Sequence, residues 1–439
     1  MKSVVAKYGG TSVANIKQLL MVVKTNPHQK VIVVSAPGKL HSADTKVTDL
    51  LIKYTDQKDQ KILNQIVTKF REIGANDEII QELTSKLLTI TDNHQITSLG
   101  EHYAARIVAG HTGYKFIDAA QIFRFDKNGN LDFSETTKLV HENISPTKFQ
   151  YVIPGFYGSD GNGKIRLFGR GGSDRSGALL ASILDFDYEN WTDVNGIYSA
   201  DPRVMGEDCI IIPEITIAEI REGANGGTEV LMGDTIFDLH KSNVTTTVKN
   251  TFDPKKAGTR VRQTRKSLPD NPVVSVAGHD DLVKLEIRRF GLNKIPGYIH
   301  RLLAHFSSDA MPEPDKISIE YLPTGIDALS VTVRTSQLTQ QQLVRLESLP
   351  ELIAKDTDLA PDNRMKWSKI AVVYLVGQDL LDKQVRTKAH NRATGALLRH
   401  SLYFEDDVSD ACSPSIAFLV DRKSMKPAIR AIHQEFFRN

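Results

Sequence analysis

Two short β-branched apolar runs, Ser3 to Ala6 and Val31 to Ser35, flank an amphipathic stretch from Val13 to Lys24. Short unbroken apolar runs suit strands buried on both faces, and apolar positions three to four apart suit one face of a helix. The pattern predicts strand, crossover helix and parallel strand, the start of an α/β sheet. From 47 to 110 helical spacing dominates, in Leu50, Leu51 and Tyr54, then Ile62, Ile66 and Phe70, then Leu83, Leu87 and Leu88. A helical layer is expected there, of the kind against which substrate clefts sit. Between 116 and 169 the texture changes to short strand-like runs with turn signals, Asn128-Gly129 between FRFD and LDF and then Gly161-Asn162-Gly163, which read as hairpins. After Ser173 the helix-forming DRSGALLASIL leads to the strand-like YENWTDV, and a helix from Ile217 to Ala224 precedes the strand TTTVKNT.

Residues 264 to 273, polar and with two prolines, read as a linker that closes a first domain over 1–263. Beyond it a strand, a helix and two strands appear twice, first in VKLEIRRF, IPGYIHRLLAHF, KISIEYLP and ALSVTVRT. The second set is IAVVYLVG, RATGALLRHSL and SIAFLVD, with MKPAIRAIHQEFF after it. Two small modules are expected, over 274–365 and 366–439, with strands that can interleave. A chain of 439 residues fits this division, since single cores stop growing near roughly 250 to 300 residues.

Charge narrows the partners. With 55 basic and 53 acidic residues there is no long-range field to recruit a polyanion, so nucleic acid is not expected. Cys209 and Cys412 lie far apart with no metal-ligand spacing, which predicts reduced thiols in cytoplasm. No apolar run approaches the ~18 to 20 residues of a spanning helix, and the N-terminus lacks a signal-peptide h-region, so no membrane is expected. Asp126, Asn128 and Asn130 have a calcium-loop spacing, but the glycine and terminal glutamate are misplaced.

Three clusters carry candidate chemistry. In AKYGGTSV, Gly9 and Gly10 follow a buried strand, Thr11 and Ser12 precede a helix, and Lys7 stands just before the turn. Glycines let backbone approach a ligand, free amides at a helix start favour an anion, and an ammonium beside them can neutralise a phosphate. An ordinary glycine turn with Thr11 or Ser12 as cap explains the segment too. The second cluster, LFGRGGSDRSGALLAS, repeats the strand, glycine and helix order, with Arg170 suited to a bidentate grip on a carboxylate and Asp174 at the helix start. A capped helix with a solvated arginine is its alternative. In the third, WTDVNGIYSADPRV, Thr192 and Asp193 end a strand, where open α/β sheets bind ligands, although a surface hairpin also fits the turn. The Walker A pattern and the protein-kinase motifs are absent, so phosphoryl transfer would use another scaffold.

Taken together, KYGGTSVA, FGRGGSD and WTDVNGIYSADPRV resemble the signatures of the aspartate kinase family, within the broader amino acid kinase fold. VVSAPG with VTDLL, SLGEHYAA and VKNTFDPKKAGTRV follow in that family's order, and the tail resembles paired ACT modules, most clearly in SPSIAFLV and AIRAIHQEFF. The resemblance implies an α/β three-layer αβα sandwich with a mainly parallel central sheet, followed by two α+β ACT modules. It implies transfer of the γ-phosphate of ATP, carried with Mg²⁺, to L-aspartate, and no resident metal or cofactor. Lys7, Gly9, Gly10 and Ser12 would hold ATP phosphates, and Thr48, Glu101, Arg170 and Ser173 would bind aspartate. Asp174 would organise transfer beside Lys7, with Arg170. Thr192, Asp193, Tyr198, Arg203, Glu229 and Val230 would bind nucleotide. An amino-acid effector, lysine or threonine, at the ACT modules and a homodimer or higher homo-oligomer follow from the same likeness.

Two stretches depart from the family's pattern. Gly227 to Gly233 reads GTEVLMG where many relatives have G-A-K-V-L-H-P, so a cation becomes Glu229, and DDVSDACSPS replaces an effector-binding N-Q-G-x-S-E. These departures leave a catalytically silent amino-acid sensor as the alternative of another class. A kinase of the same fold acting on glutamate, carbamate or a nucleoside monophosphate is the alternative within the class.

Overall fold

A computed structural model describes residues 2–169, 171–225, 235, 238, 244–268, 270–356, 365, 367–405 and 412–438. Two compact units emerge. The first holds the described residues up to Tyr198, those from Ile211 to Ala224, and those up to Lys266, and the second holds Ser199–Ile210 and the chain from Ser267 on.

In the first unit β1 (Val4–Tyr8), α1 (Gly10–Ala14), α2 (Ile16–Thr25) and β2 (Gln29–Val34) form the expected βαβ start. The helical layer follows as α3 (Val47–Gln57), α4 (Gln60–Glu72), α5 (Asp77–Thr89) and α6 (Asn93–Thr112). Asp59, Asn76 and Asp92 accept first-turn amides as N-caps of the last three, which fixes where each begins. Then come β3 (Lys115–Phe116), α7 (Ala119–Ile122), β4 (Arg124–Phe125), α8 (Phe133–Asn143), β5 (Tyr151–Pro154), β6 (Tyr157–Asp160) and β7 (Ile165–Leu167). The unit continues with α9 (Gly172–Leu184) and β8 (Asp187–Thr192). After α10 (Pro202–Met205), a piece of the second unit, it resumes with β9 (Glu214–Thr216), α11 (Ile217–Asn225), β10 (Thr246–Asn250) and β11 (Thr259–Arg262).

The eight-stranded sheet runs β3-β5-β2-β1-β8-β10-β11-β9, parallel throughout except for β10 against β11. Val4, Ala6 and Tyr8 of β1 join Ile32, Val34 and Trp191 in one core with α2 to α6, and α9 covers the other face. β1 has β2 on one side and β8 on the other, so the strand order reverses there, and ligand crevices of open α/β sheets lie beyond the carboxyl ends at such a point.

The Asn128-Gly129 hairpin is smaller than expected. Phe125 and Leu131 form a single isolated bridge, and Asp132 caps α8 through the Glu135 amide, so LDF opens a helix instead of a strand.

The second unit is built on one antiparallel five-stranded sheet, β13-β12-β14-β16-β15. Its strands are β12 (Ser275–Arg288), β13 (Ala328–Arg334), β14 (Trp367–Val376), β15 (Phe404–Glu405) and β16 (Ser415–Asp421). β12 pairs with both β13 and β14, so strands of the two repeats share one sheet. Each repeat keeps its own core. One gathers Leu285, Val331, Leu302 and Ile353, and the other Val276, Val373, Phe418 and Ile432. KISIEYLP contributes only a bridge from Tyr321 to Thr332, and a helix not expected from the sequence spans Gln340–Asp356 despite Pro350. Among the described residues no helix is long and apolar enough to cross a membrane.

Candidate active site

The turn after β1 is held by its neighbours' backbone. Gly9 N donates to Trp191 O at 3.0 Å, tying the turn to the end of β8, and Gly9 offers no side-chain cap to α1. Gly38 N, in the turn after β2, donates to Gly10 O at 2.8 Å. A Cβ on Gly10 would fall 2.9 Å from Ala36 O, and one on Gly38 only 2.6 Å from the Gly10 carbonyl carbon. The two turns thus lie backbone on backbone, which glycine alone allows.

Lys7, near the end of β1 and 7 % exposed, places its ammonium 2.7 Å from Asp174 Oδ1. The charges meet out of line for a hydrogen bond, and among the described residues that buried oxygen has no other donor. Asp174 reaches Lys7 because α9 packs closely. A Cβ on Gly177 would lie 2.7 Å from the Tyr188 ring and 3.2 Å from Lys7 Cβ. The first turn of α9 is also wedged from below, since Gly155 has no room for a Cβ against Ser173. Phe156, with φ of 76°, is held in the left-handed region and donates its amide to Ser176 Oγ at 3.1 Å. Such strain in a bulky residue persists only where the surroundings fix it.

Glu101 lies in the middle of α6, 4 % exposed, and among the described residues its Oε2 has no hydrogen-bond partner. Burial pushes its carboxyl up to about 8, against the opposing pull of the Ala36 amide and its own. A Cβ on the preceding Gly100 would lie 2.8 Å from Ala36 Cβ and 3.2 Å from Leu51 Cδ1, so α6 sits directly against the turn after β2 and against α3. Ala36 therefore touches both the phosphate-type turn and the buried carboxylate. An unpaired buried carboxylate is costly, and a cation arriving at Oε2 would relieve it.

Thr48 is half-buried in the first turn of α3, and Ser173 is buried in that of α9. The Ser12 hydroxyl is fully buried and meets Thr251 Oγ1 at 2.7 Å, so it joins α1 to the segment after β10. Thr192 Oγ1 donates to Asp193 Oδ1 at 3.2 Å at the end of β8, and Tyr198 bridges to Ile211. Arg203 belongs to the second unit, with its exposed guanidinium chelating Asp201. Arg170, Glu229 and Val230 lie outside the described residues.

The sequence reading assigned no role to Ala36, Gly38, Gly177 or Thr251. It also passed over His102, whose Nδ1 lies 3.1 Å from Tyr157 Oη and 3.3 Å from Asp118 Oδ2, fastening α6 to β6 and α7. Only Gly38, inside SAPG, carried a local signal.

Comparison with known proteins finds relatives over the whole chain. Aspartokinase 3 of Bacillus subtilis is 28 % identical over 99 % of this chain and 98 % of its own length. The crystal structure of Clostridium acetobutylicum aspartate kinase superposes with a TM-score of 0.83 at 26 % identity, covering 99 % of this chain and 100 % of that one. Aspartokinase III of E. coli, solved with lysine and aspartate, shares the fold with a TM-score of 0.75 at 22 % identity over the whole of both chains. The amino acid kinase family model matches residues 2–250, the stretch that contains β1, the glycine turn, Glu101 and Asp174. With more than half its length matched and the family's fold built around these residues, the chain belongs to the amino acid kinase family.

Proposed function

We propose that this chain is an aspartate kinase, moving the γ-phosphoryl group of ATP to the side-chain carboxylate of L-aspartate to give ADP and 4-phospho-L-aspartate. The observation that carries the reading is the orphaned, buried Oε2 of Glu101, beside the loop that also touches the glycine turn. It suits the α-ammonium of an amino acid, and the uncapped turn with Lys7 suits phosphates.

Glu101 receives the ammonium, Arg170 a substrate carboxylate, and Thr48 and Ser173 line the acceptor's place. Lys7, kept in place by Asp174, lies against the transferring group, with Gly9 and Gly10 leaving backbone amides open to phosphate oxygens. Ser12 acts through its backbone. Thr192, Asp193 and Tyr198 border the nucleotide, to which the family resemblance also assigns Arg203, Glu229 and Val230. Mg²⁺ enters with ATP as part of the substrate. Transfer then needs positioning and charge stabilisation, with no covalent enzyme intermediate. The protein works in cytoplasm as a homo-oligomer, and lysine or threonine acts at the second unit. The Clostridium relative, itself described as allosteric, supports regulation.

The test is a hydroxamate assay on purified protein with ATP, Mg²⁺ and L-aspartate, with L-glutamate in parallel, since hydroxylamine traps acyl phosphates. Aspartate-dependent hydroxamate is expected. No product with either acceptor overturns the reading in favour of a silent sensor, and product with glutamate alone reassigns the acceptor.

A further inference from the structure

We propose that Lys69, on α4 and outside any site assigned above, is a positioning residue for phosphoryl transfer, clamping the loop from Ala36 to Lys46 against the glycine turn through Asp44. The proposal rests on the aspartate kinase reading, in which this loop borders both substrates.

Lys69 is 9 % exposed on a helix whose other buried residues, Ile62, Leu63, Ile66 and Phe70, are apolar. A lysine so buried needs a partner, because an unpaired ammonium there would be strongly disfavoured. Its Nζ lies 2.6 Å from Asp44 Oδ2 and 3.5 Å from Gly38 O. Asp44 in turn accepts the amides of Leu40 at 2.9 Å and Thr45 at 2.7 Å, closing the loop on itself. The Lys69 hydrogen bond, with those amides, holds its carboxyl down at about 2, so Asp44 stays ionised at any working pH.

The clamp bears on chemistry because of what the loop touches. Gly38, reached by Lys69, is in backbone contact with Gly10, and Pro37 O accepts the Val47 amide that begins α3, next to Thr48. Ala36 adjoins Gly100 and Glu101. Three features of the transfer site, the phosphate turn, Thr48 and Glu101, thus hang on eleven residues whose tip, Lys39 to Ala43, is exposed. Backbone packed on backbone has no side chain to absorb a displacement, so a loosened loop shifts Gly10 directly. Misplacement by about 1 Å can cost ~10²-fold in transfer.

The test compares wild type, Lys69→Met, Asp44→Ala, the double variant and Lys69→Arg in the hydroxamate assay, with thermal melting and equilibrium ADP binding alongside. Wild type has to make aspartate hydroxamate; failure there defeats the functional reading, whatever the variants do. With wild type active, Lys69→Met is expected to lose at least ~10-fold in kcat per folded molecule while ADP binding stays within about twofold. The double variant should be no worse than the single ones, and Lys69→Arg should recover most of the rate. If Lys69→Met does not fold, Asp44→Ala, altered only on the loop, carries the same expectation. A kcat within about twofold of wild type in a folded single variant, with only the melting temperature lowered, overturns the proposal.

Discussion

Glu101 and Lys7 are both buried, yet among the described residues only Lys7 has a counter-charge, Asp174. Burial pushes Glu101 up to about 8, so below that pH it is a neutral acid, and on the proposed reading the substrate ammonium has to displace a proton. Aspartate KM should therefore rise as pH falls below about 8, by up to ~10-fold per unit, and Glu101→Gln should bind aspartate poorly without that slope. Because the folded protein binds this proton more tightly than the unfolded chain, the stabilisation is full below the ordinary carboxyl value of 4.5 and is lost as pH rises to about 8. Melting temperature of the unliganded wild type should decline across that window more than that of Glu101→Gln. On the proposed reading Lys7 acts in the transition state instead. Lys7→Ala should lower kcat by at least ~10²-fold and leave aspartate KM little changed, and an unchanged kcat in steady-state assays would remove it from the mechanism. Both residues were legible in sequence through motifs. Their surroundings were not, since Asp174 meets Lys7 only because Gly177 lets α9 approach β1, and Ser12 meets Thr251 across 239 positions.

Helices and loops here are set by missing side chains. Gly100 gives α6 its closeness to Ala36 and Leu51, and Gly100→Ala would force the helix outward by overpacking. That should cost about 1 to 3 kcal/mol in denaturant unfolding and raise aspartate KM more than ATP KM, since Glu101 moves with the helix. Equal effects on the two KM values would argue against α6 as the acceptor's element. The helical layer over 47 to 110 was readable because Leu50, Ile66, Phe70, Leu83 and Leu87 all fall on the buried face they imply. KISIEYLP alternates like a strand but finds no continuous neighbour, whereas Pro350 hid the helix Gln340–Asp356, a breaker by local rules that tertiary packing overrides. Strand pairing is decided by partners far along the chain, which local alternation cannot name.

At the scale of the whole chain, dividing the sequence into consecutive domains missed that residues 199–210 group with the second unit. There Ala200, Val204 and Met205 share a core with Val276, Ile429 and Ile432, Ser199 Oγ meets His433 Nε2 at 2.8 Å, and Arg430 holds Val204 O. A chain ending at Lys266 would leave those apolar side chains without cover. It should melt at lower temperature than the full chain and aggregate, and adding residues 267–439 as a separate polypeptide should restore its solubility, as size-exclusion chromatography can measure. Among the described residues the backbone passes between the units after Tyr198, returns after Ile210, and leaves again after Ala224 and after Lys266. A protease that nicks the linker would cut only one of these crossings, so the pieces should elute together until denatured. Recombination at the linker would exchange the five-stranded sheet yet keep the old segment from Ser199 to Ile210, so a grafted sheet inherits a plug shaped for its predecessor. The two units can diverge only in step.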